Sequence, residues 1–212
     1  MDRRTITVRG SARVSAAPDW VVISFTINSE YYDYGKCMEQ VAVQTESLQK
    51  DLAAVGLERD SLKTVDFDID THFERVNDRY VFRGYKAVHH LKVEFPFERG
   101  YLNKVLRALS RTQSQASFSV SFQIKDPEPL RHMAIAEAVK NAKIKAKVLA
   151  EAAGVMVGKL VHIDYSWSEI HFHSSMKYDM AAESMMSSPG YDFTPQDVNI
   201  SESVTVVWAI DD

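Results

Sequence analysis

Hydrophobic and polar positions change period several times along this chain, and each change predicts an element. Ile6 and Val8 alternate with polar neighbours, which predicts a first strand running towards Val14; Pro18-Asp19 ends it. Val21, Ile23, Phe25 and Ile27 then share one face while Ser24, Thr26 and Asn28 share the other, the mark of a half-buried strand. From about Lys36 to Val55 the spacing becomes helical. Met38, Val41, Ala42, Leu48, Leu52 and Val55 make a stripe that Gly56 closes. Val65, Phe67, Ile69, Thr71 and Phe73 alternate with Asp66, Asp68, Asp70 and His72, and Asn77-Asp78 predicts a turn. The return strand carries Tyr85, Ala87, His89, Leu91, Val93 and Phe95 on one face, with Pro96 near its end, where a missing donor does least harm.

Leu102, Val105, Leu106 and Leu109 then mark a short helix, and Phe118, Val120, Phe122 and Ile124 alternate with Ser117, Ser119, Ser121 and Gln123 in a further strand. Without the first strand the order is β-α-β-β-α-β, the split order of ferredoxin-like folds. Between Pro127 and Gly158 a long helix is predicted. Ala134, Ala138, Ala142, Ala146 and Ala150 recur every fourth residue. At about 100° per residue they share a face with Ile135, Val139, Leu149 and Ala153, opposite Lys140, Lys143, Lys147 and Glu151. Asp126 is placed to cap its start, Pro127 suits its first position and Gly154 can close it. A face of small side chains lets a helix backbone lie close to a sheet. Strands are predicted around Leu160 to Trp167 and Val198 to Ile210, separated by a connection from Ser168 to Asp197. A connection that long is usually functional or disordered.

The predicted class is therefore α+β. A ferredoxin-like βαββαβ part spans 19–126. A second two-layer α/β part is built from 1–18 and 127–212, combining the N-terminal strand, the long Ala-rich helix, the C-terminal strands and the 168–197 loop.

Composition narrows the function classes. The chain has 212 residues, 45% of them hydrophobic and 25% charged, with a formal net charge of −4. That is ordinary for a globular protein and gives no electrostatic reason to expect nucleic acid or an anionic membrane as partner. Cys37 is the only cysteine, so no intrachain disulfide can form. No run approaches the ~20 apolar residues of a spanning helix. The N-terminus lacks the apolar core of a signal peptide, so the sequence as given is expected to be cytoplasmic, or periplasmic or envelope-associated if it has been trimmed.

The order of several short motifs resembles the SIMPL-domain family across nearly the full length. Val8-x-Gly10 comes near the start, Pro18-Asp19 opens the second strand, and Gly56-Leu57 follows the first helix, with Thr64 in the strand after it. Gly84-Tyr85-x-Ala87 opens the return strand. The row Ala138-x3-Ala142-x3-Ala146-x2-Leu149-Ala150, Gly154-x3-Gly158 and a β-rich C-terminus complete the match. The resemblance implies an α+β protein with a ferredoxin-like part, and self-assembly, since some relatives form ring- or channel-like oligomers. Many bacterial members are exported, and some are tied to oxidative-stress tolerance and immunogenicity; a mammalian member is an intracellular signalling adaptor. No catalytic residues are agreed for the family, so none is carried over.

Candidate chemistry is sparse. His171-Phe172-His173, followed by Met176, Met180, Met185 and Met186, offers imidazole and thioether ligands of the kind that suit Cu(I), with His171 and His173 on one side of an extended chain. This defines a metal- or small-ligand-binding module as the alternative function; the competing reading is a loop rich in His, Met and Ser, or methionines packed at a subunit contact. Asp66, Asp68 and Asp70 lie nearly 7 Å apart along their strand, too far for all three to share one small ion, and read as a solvated face. Cys37 and His89 read as packing residues, and His90 as exposed. Lys140, Lys143 and Lys147 lack the interleaved aromatics of a nucleic-acid surface. Motifs for nucleotide binding, serine hydrolysis and zinc proteolysis are absent. The expectation is thus a non-enzymatic, self-assembling protein with a scaffold or stress-associated role and no cofactor. Its interface residues are expected to be Ile144, Val148, Phe172, Tyr178 and Met185.

Overall fold

The computed structural model describes residues 4–112, 114–165, 174–176 and 193–211. The elements run β1 (Thr5–Ala16), β2 (Trp20–Tyr31), α1 (Tyr34–Ala54), β3 (Lys63–Val76), β4 (Arg79–Pro96), α2 (Arg99–Leu109), β5 (Ser117–Gln123), α3 (Glu128–Ala152), β6 (Met156–Asp164), β7 (Ser174–Met176) and β8 (Val198–Asp211). They form two antiparallel sheets, with strand orders β1-β8-β6 and β3-β4-β2-β5-β7. The chain divides into two units, one of 1–18, 124–173 and 196–212, the other of 19–123 and 174–195. The class is α+β, as the sequence predicts.

The second of these units has the ferredoxin-like order. Val21, Ile23, Phe25 and Ile27 on central strand β2 are buried with Leu48 and Leu52 of α1, Leu102 and Val105 of α2, and Val120 and Phe122 of β5. Phe122 also meets the rings of Phe97 and Phe193 at centroid distances of 5.2 and 6.3 Å. α1 starts two residues earlier than its apolar stripe suggests, because the Asp33 carboxylate accepts the Lys36 amide at 2.9 Å and so caps the first turn. Its inward row is Cys37, Val41, Gln44, Leu48 and Leu52, whereas Ala42 is exposed. The β3–β4 hairpin closes through Asn77 and Asp78, both with positive φ, between the pair Val76 and Arg79. This is the two-residue turn whose twist matches the flanking strands. The alternation along β3 predicts one covered face, but among the described residues β3 is an edge strand, and only Ile69 and His72 are even partly covered. β7 was not foreseen at all: its backbone adds to β5 with Val120 opposite Met176.

The other unit is a three-stranded sheet with α3 on one face. β1 and β8 pair without a shift from Thr5 opposite Ala209 to Ala16 opposite Val198. Val8, Val204, Val206 and Trp208 pack against Ala138, Ala142 and Ala146. The helix comes so close because Gly10 of β1 lacks a side chain: a Cβ there would lie 2.7 Å from the amide nitrogen and the Cβ of Ala142. Pro127 occupies the cap position of α3, one residue later than predicted, while the Asp126 carboxylate still accepts the Glu128 amide at 3.2 Å. At the far end Gly154 adopts a φ of +70°, and the Val155 amide reaches back to the Ala150 carbonyl at 3.0 Å, closing the last turn. The buried row is narrower than the periodicity predicts. All five alanines are inside, but Leu149 and Ala153 are exposed, since the row of every fourth residue drifts around the helix and leaves them beside the contact. β6 begins at Met156, four residues before its predicted start.

Candidate self-association surface

Close packing through alanines decides what α3 shows to solvent. Residues 144 and 148 each lie two positions past a buried alanine, about 200° around the helix. Ile144 and Val148 therefore stack one turn apart on the outer face, 61% and 60% exposed. Met133 and Leu149 add further exposed apolar surface to the same helix. Beside them the basic residues behave as a solvated face: Lys140 pairs with Glu137 at 2.6 Å, and Lys145 donates to the Arg9 carbonyl at 3.2 Å.

Strand β6 is the second apolar feature of this unit. It is an edge, pairing with β8 on one side only among the described residues. Met156, Leu160, Val161 and Ile163 are all exposed, Met156 at 64%. Leu160 and Ile163 lie opposite Trp208 and Val206, which the helix covers; one strand further out, they are left open. Register shifts flank Leu160, and Lys159 adds a charge. Bulges and lysines on an edge discourage a further strand from pairing. The contact this edge offers is thus made by side chains rather than by an unbroken row of backbone groups.

Arg131 of α3 forms a second kind of link in this unit. Its guanidinium lies 2.7 Å from Glu128 and 3.5 Å from Glu202 of β8, and the Tyr165 hydroxyl donates to Glu202 at 3.2 Å. Burial, reinforced by the Glu202 carboxylate, raises the Tyr165 pKa above its ordinary value. Sequence reading missed this cluster because its members are dispersed over more than seventy positions with no motif spacing. It ties a helix to a sheet.

The remaining candidates separate cleanly. His171, Phe172, His173, Tyr178 and Met185 lie outside the described residues. Among the described residues, no group of three or more His, Cys, Asp or Glu side chains is arranged to hold a metal ion. Asp66, Asp68 and Asp70 are exposed, opposite His90, Val88 and Lys86. Cys37 is fully buried, its sulfur 3.5 Å from the carbonyl oxygens of Ser29 and Tyr85. His89 has a threonine hydroxyl on each ring nitrogen, Thr45 at 3.2 Å and Thr64 at 3.0 Å, and Phe67 against its ring. Burial, with the adjacent His90 as a smaller cause, lowers its pKa. It is a satisfied, half-buried histidine. No helix among the described residues is long and apolar enough to cross a membrane.

Comparison with known proteins agrees with the resemblance seen in the motifs. The family model described as "SIMPL: Protein of unknown function (DUF541)" matches residues 6–208. The uncharacterized protein YggE of Edwardsiella ictaluri (strain 93-146) is 23% identical over 205 residues, covering 96% of this chain and 85% of its own length.

Proposed function

The chain belongs to the SIMPL family, and from that premise we propose that it is a non-enzymatic protein that assembles with copies of itself and works as a scaffold in a stress-associated role. The observation that carries the reading is the exposure of Ile144 and Val148 on α3 together with the apolar edge β6. Single exposed apolar residues are ordinary, but runs of them on one helix and one strand of a small unit mark contact surfaces. A second copy of the chain is the occupant that fits best. The surface is aliphatic, like the core of a homo-oligomeric interface, and Lys140 and Lys145 near it are already engaged within the chain. The non-enzymatic part of the proposal is supported by where the described polar side chains are spent: Arg131, Glu202 and Tyr165 on joining a helix to a sheet, and His89 on two threonines.

Light scattering on the full chain at micromolar concentration tests the proposal. The expected mass exceeds that of a dimer. A monomer under those conditions overturns self-assembly, whatever the chain does otherwise.

A further inference from the structure

We propose a second site, for a small phosphorylated compound carrying two or more negative charges, in a cleft of about 530 Å³ beside α2. One side of the cleft is a stripe of α2 distinct from the buried Leu102, Val105, Leu106 and Leu109. Gly100 and Ala108 leave room for a ligand, and Lys104, Arg107 and Arg111 supply the charge. Val55, at the C-terminal end of α1, lines the cleft from the other helix.

The cleft gathers three cations that line one concave surface. Elsewhere the chain pairs many of its basic groups: Lys50 with Glu46, Arg83 with Glu74, Lys92 with Glu94, Arg131 with Glu128, Lys140 with Glu137. The side chains of Lys104, Arg107 and Arg111 make no ion pair or hydrogen bond with any described residue. Two carboxylates border the cleft without an ion pair to these cations. Asp51 accepts the Thr112 hydroxyl at 2.5 Å, and Glu98 stands at the Gly100 end. Lys104 and Arg107, three residues apart, share one face of α2, and Arg111 follows two residues past its end. Like charges gathered in this way repel. In a chain of net charge −4, three cations gathered on one cleft without an ion pair favour an anion that bridges them.

The chemistry selects phosphate. Two guanidiniums present flat pairs of donors that match phosphate oxygens, and Lys104 adds a point charge. A single phosphate reaches one or two of the three groups; a diphosphate engages the cluster. The competing account is that Arg107 and Arg111 only stabilise the C-terminal end of α2 by opposing its dipole. That account predicts lower thermal stability on substitution and no ligand.

Calorimetric titration of the intact chain with inorganic pyrophosphate, in low-salt buffer free of phosphate, decides between them. The expected result is micromolar binding that weakens as salt is added. Arg107→Gln and Arg111→Gln should each weaken it at least about tenfold, as loss of a charge-assisted pair requires. Lys140→Gln, on α3, should leave it unchanged. Thermal melts of the same variants confirm that they fold. No heat of binding at millimolar pyrophosphate overturns the site, as does binding that both arginine substitutions leave intact. Parallel arms use phosphatidylserine vesicles and a single-stranded oligonucleotide. Binding to either without binding to pyrophosphate also overturns it, in favour of a membrane or nucleic-acid surface.

Discussion

Gly10 and Ala142 meet with no space for a side chain between them. A Cβ on Gly10 would lie 2.7 Å from both the amide nitrogen and the Cβ of Ala142, and would strike the Ala138 carbonyl as well. The approach of α3 to β1 is therefore set by two residues far apart in sequence. Ala142→Leu should overpack the seam and cost about 1–3 kcal/mol. Gly10→Ala should cost at least as much, because its neighbours are helix backbone that cannot turn aside. Urea denaturation of each variant checks this. Stabilities unchanged within error would mean that the helix does not rest on the strand.

The alanine row was legible in the sequence because period and residue size both point to close packing. Gly10 was legible only as part of a motif, since nothing local shows which backbone will press against it. The two sheets followed from alternation, and β-α-β-β-α-β order followed from counting elements. Burial on β3 did not follow: Val65, Phe67 and Phe73 alternate like a covered strand, yet their strand lies at the sheet edge and they stay exposed. Alternation records which side chains share a face, not whether anything covers it. Of the surface proposed for self-association, Ile144 and Val148 were readable from the helical period, whereas the apolar edge β6 depends on which strand ends the sheet. The cation cluster at α2 is not legible in the sequence, because which basic groups lack an ion pair and share a cleft becomes evident only in three dimensions.

The Arg131–Glu202 pair gives a second prediction. Both side chains are about nine-tenths buried, at 11% and 10% exposure, so removing one leaves the other's charge poorly solvated. Glu202→Gln should cost about 3 kcal/mol, the lower end for breaking a buried pair. Replacing both, as in Arg131→Met with Glu202→Leu, should recover much of the loss. A double-mutant cycle by chemical denaturation measures the coupling. Strictly additive single losses would show that the two groups do not interact.

His89 gives the chain a defined response to acid. Burial lowers its folded-state pKa below the ordinary 6.5, so the unfolded chain takes up this proton first as pH falls. Its contribution is complete above about pH 6.5 and declines as pH drops towards the depressed folded value. His89→Gln removes the titrating ring while keeping a polar group between Thr45 and Thr64. The urea midpoint of the unsubstituted chain should therefore fall more than that of the variant between about pH 7.5 and about pH 5. Other histidines titrate in both proteins and cancel in the difference. Parallel pH profiles would mean that the His89 ring is as easily protonated folded as unfolded.

Charge substitution on the outer face of α3 separates assembly from folding. Ile144 and Val148 touch little within their own unit, so Ile144→Glu with Val148→Glu should change monomer stability by no more than about 0.5 kcal/mol. In an interface the same carboxylates would be buried without partners, at a cost of several kcal/mol. The assembly should therefore shift to smaller species at fixed concentration, with the unfolding midpoint of the dissociated chain little changed. Two residues alone fall short of the ~800 Å² per partner of a standard stable contact. Leu160 and Val161 of β6 are the next exposed apolar groups of the same unit. Leu160→Lys added to the α3 pair should complete the dissociation, because β6 offers side chains rather than a pairing edge. If sedimentation profiles stay the same with all three substitutions, the copies meet elsewhere. If Leu160→Lys alone dissolves the assembly and the α3 pair does nothing, the contact is made by β6 and the outer face of the helix is ordinary surface.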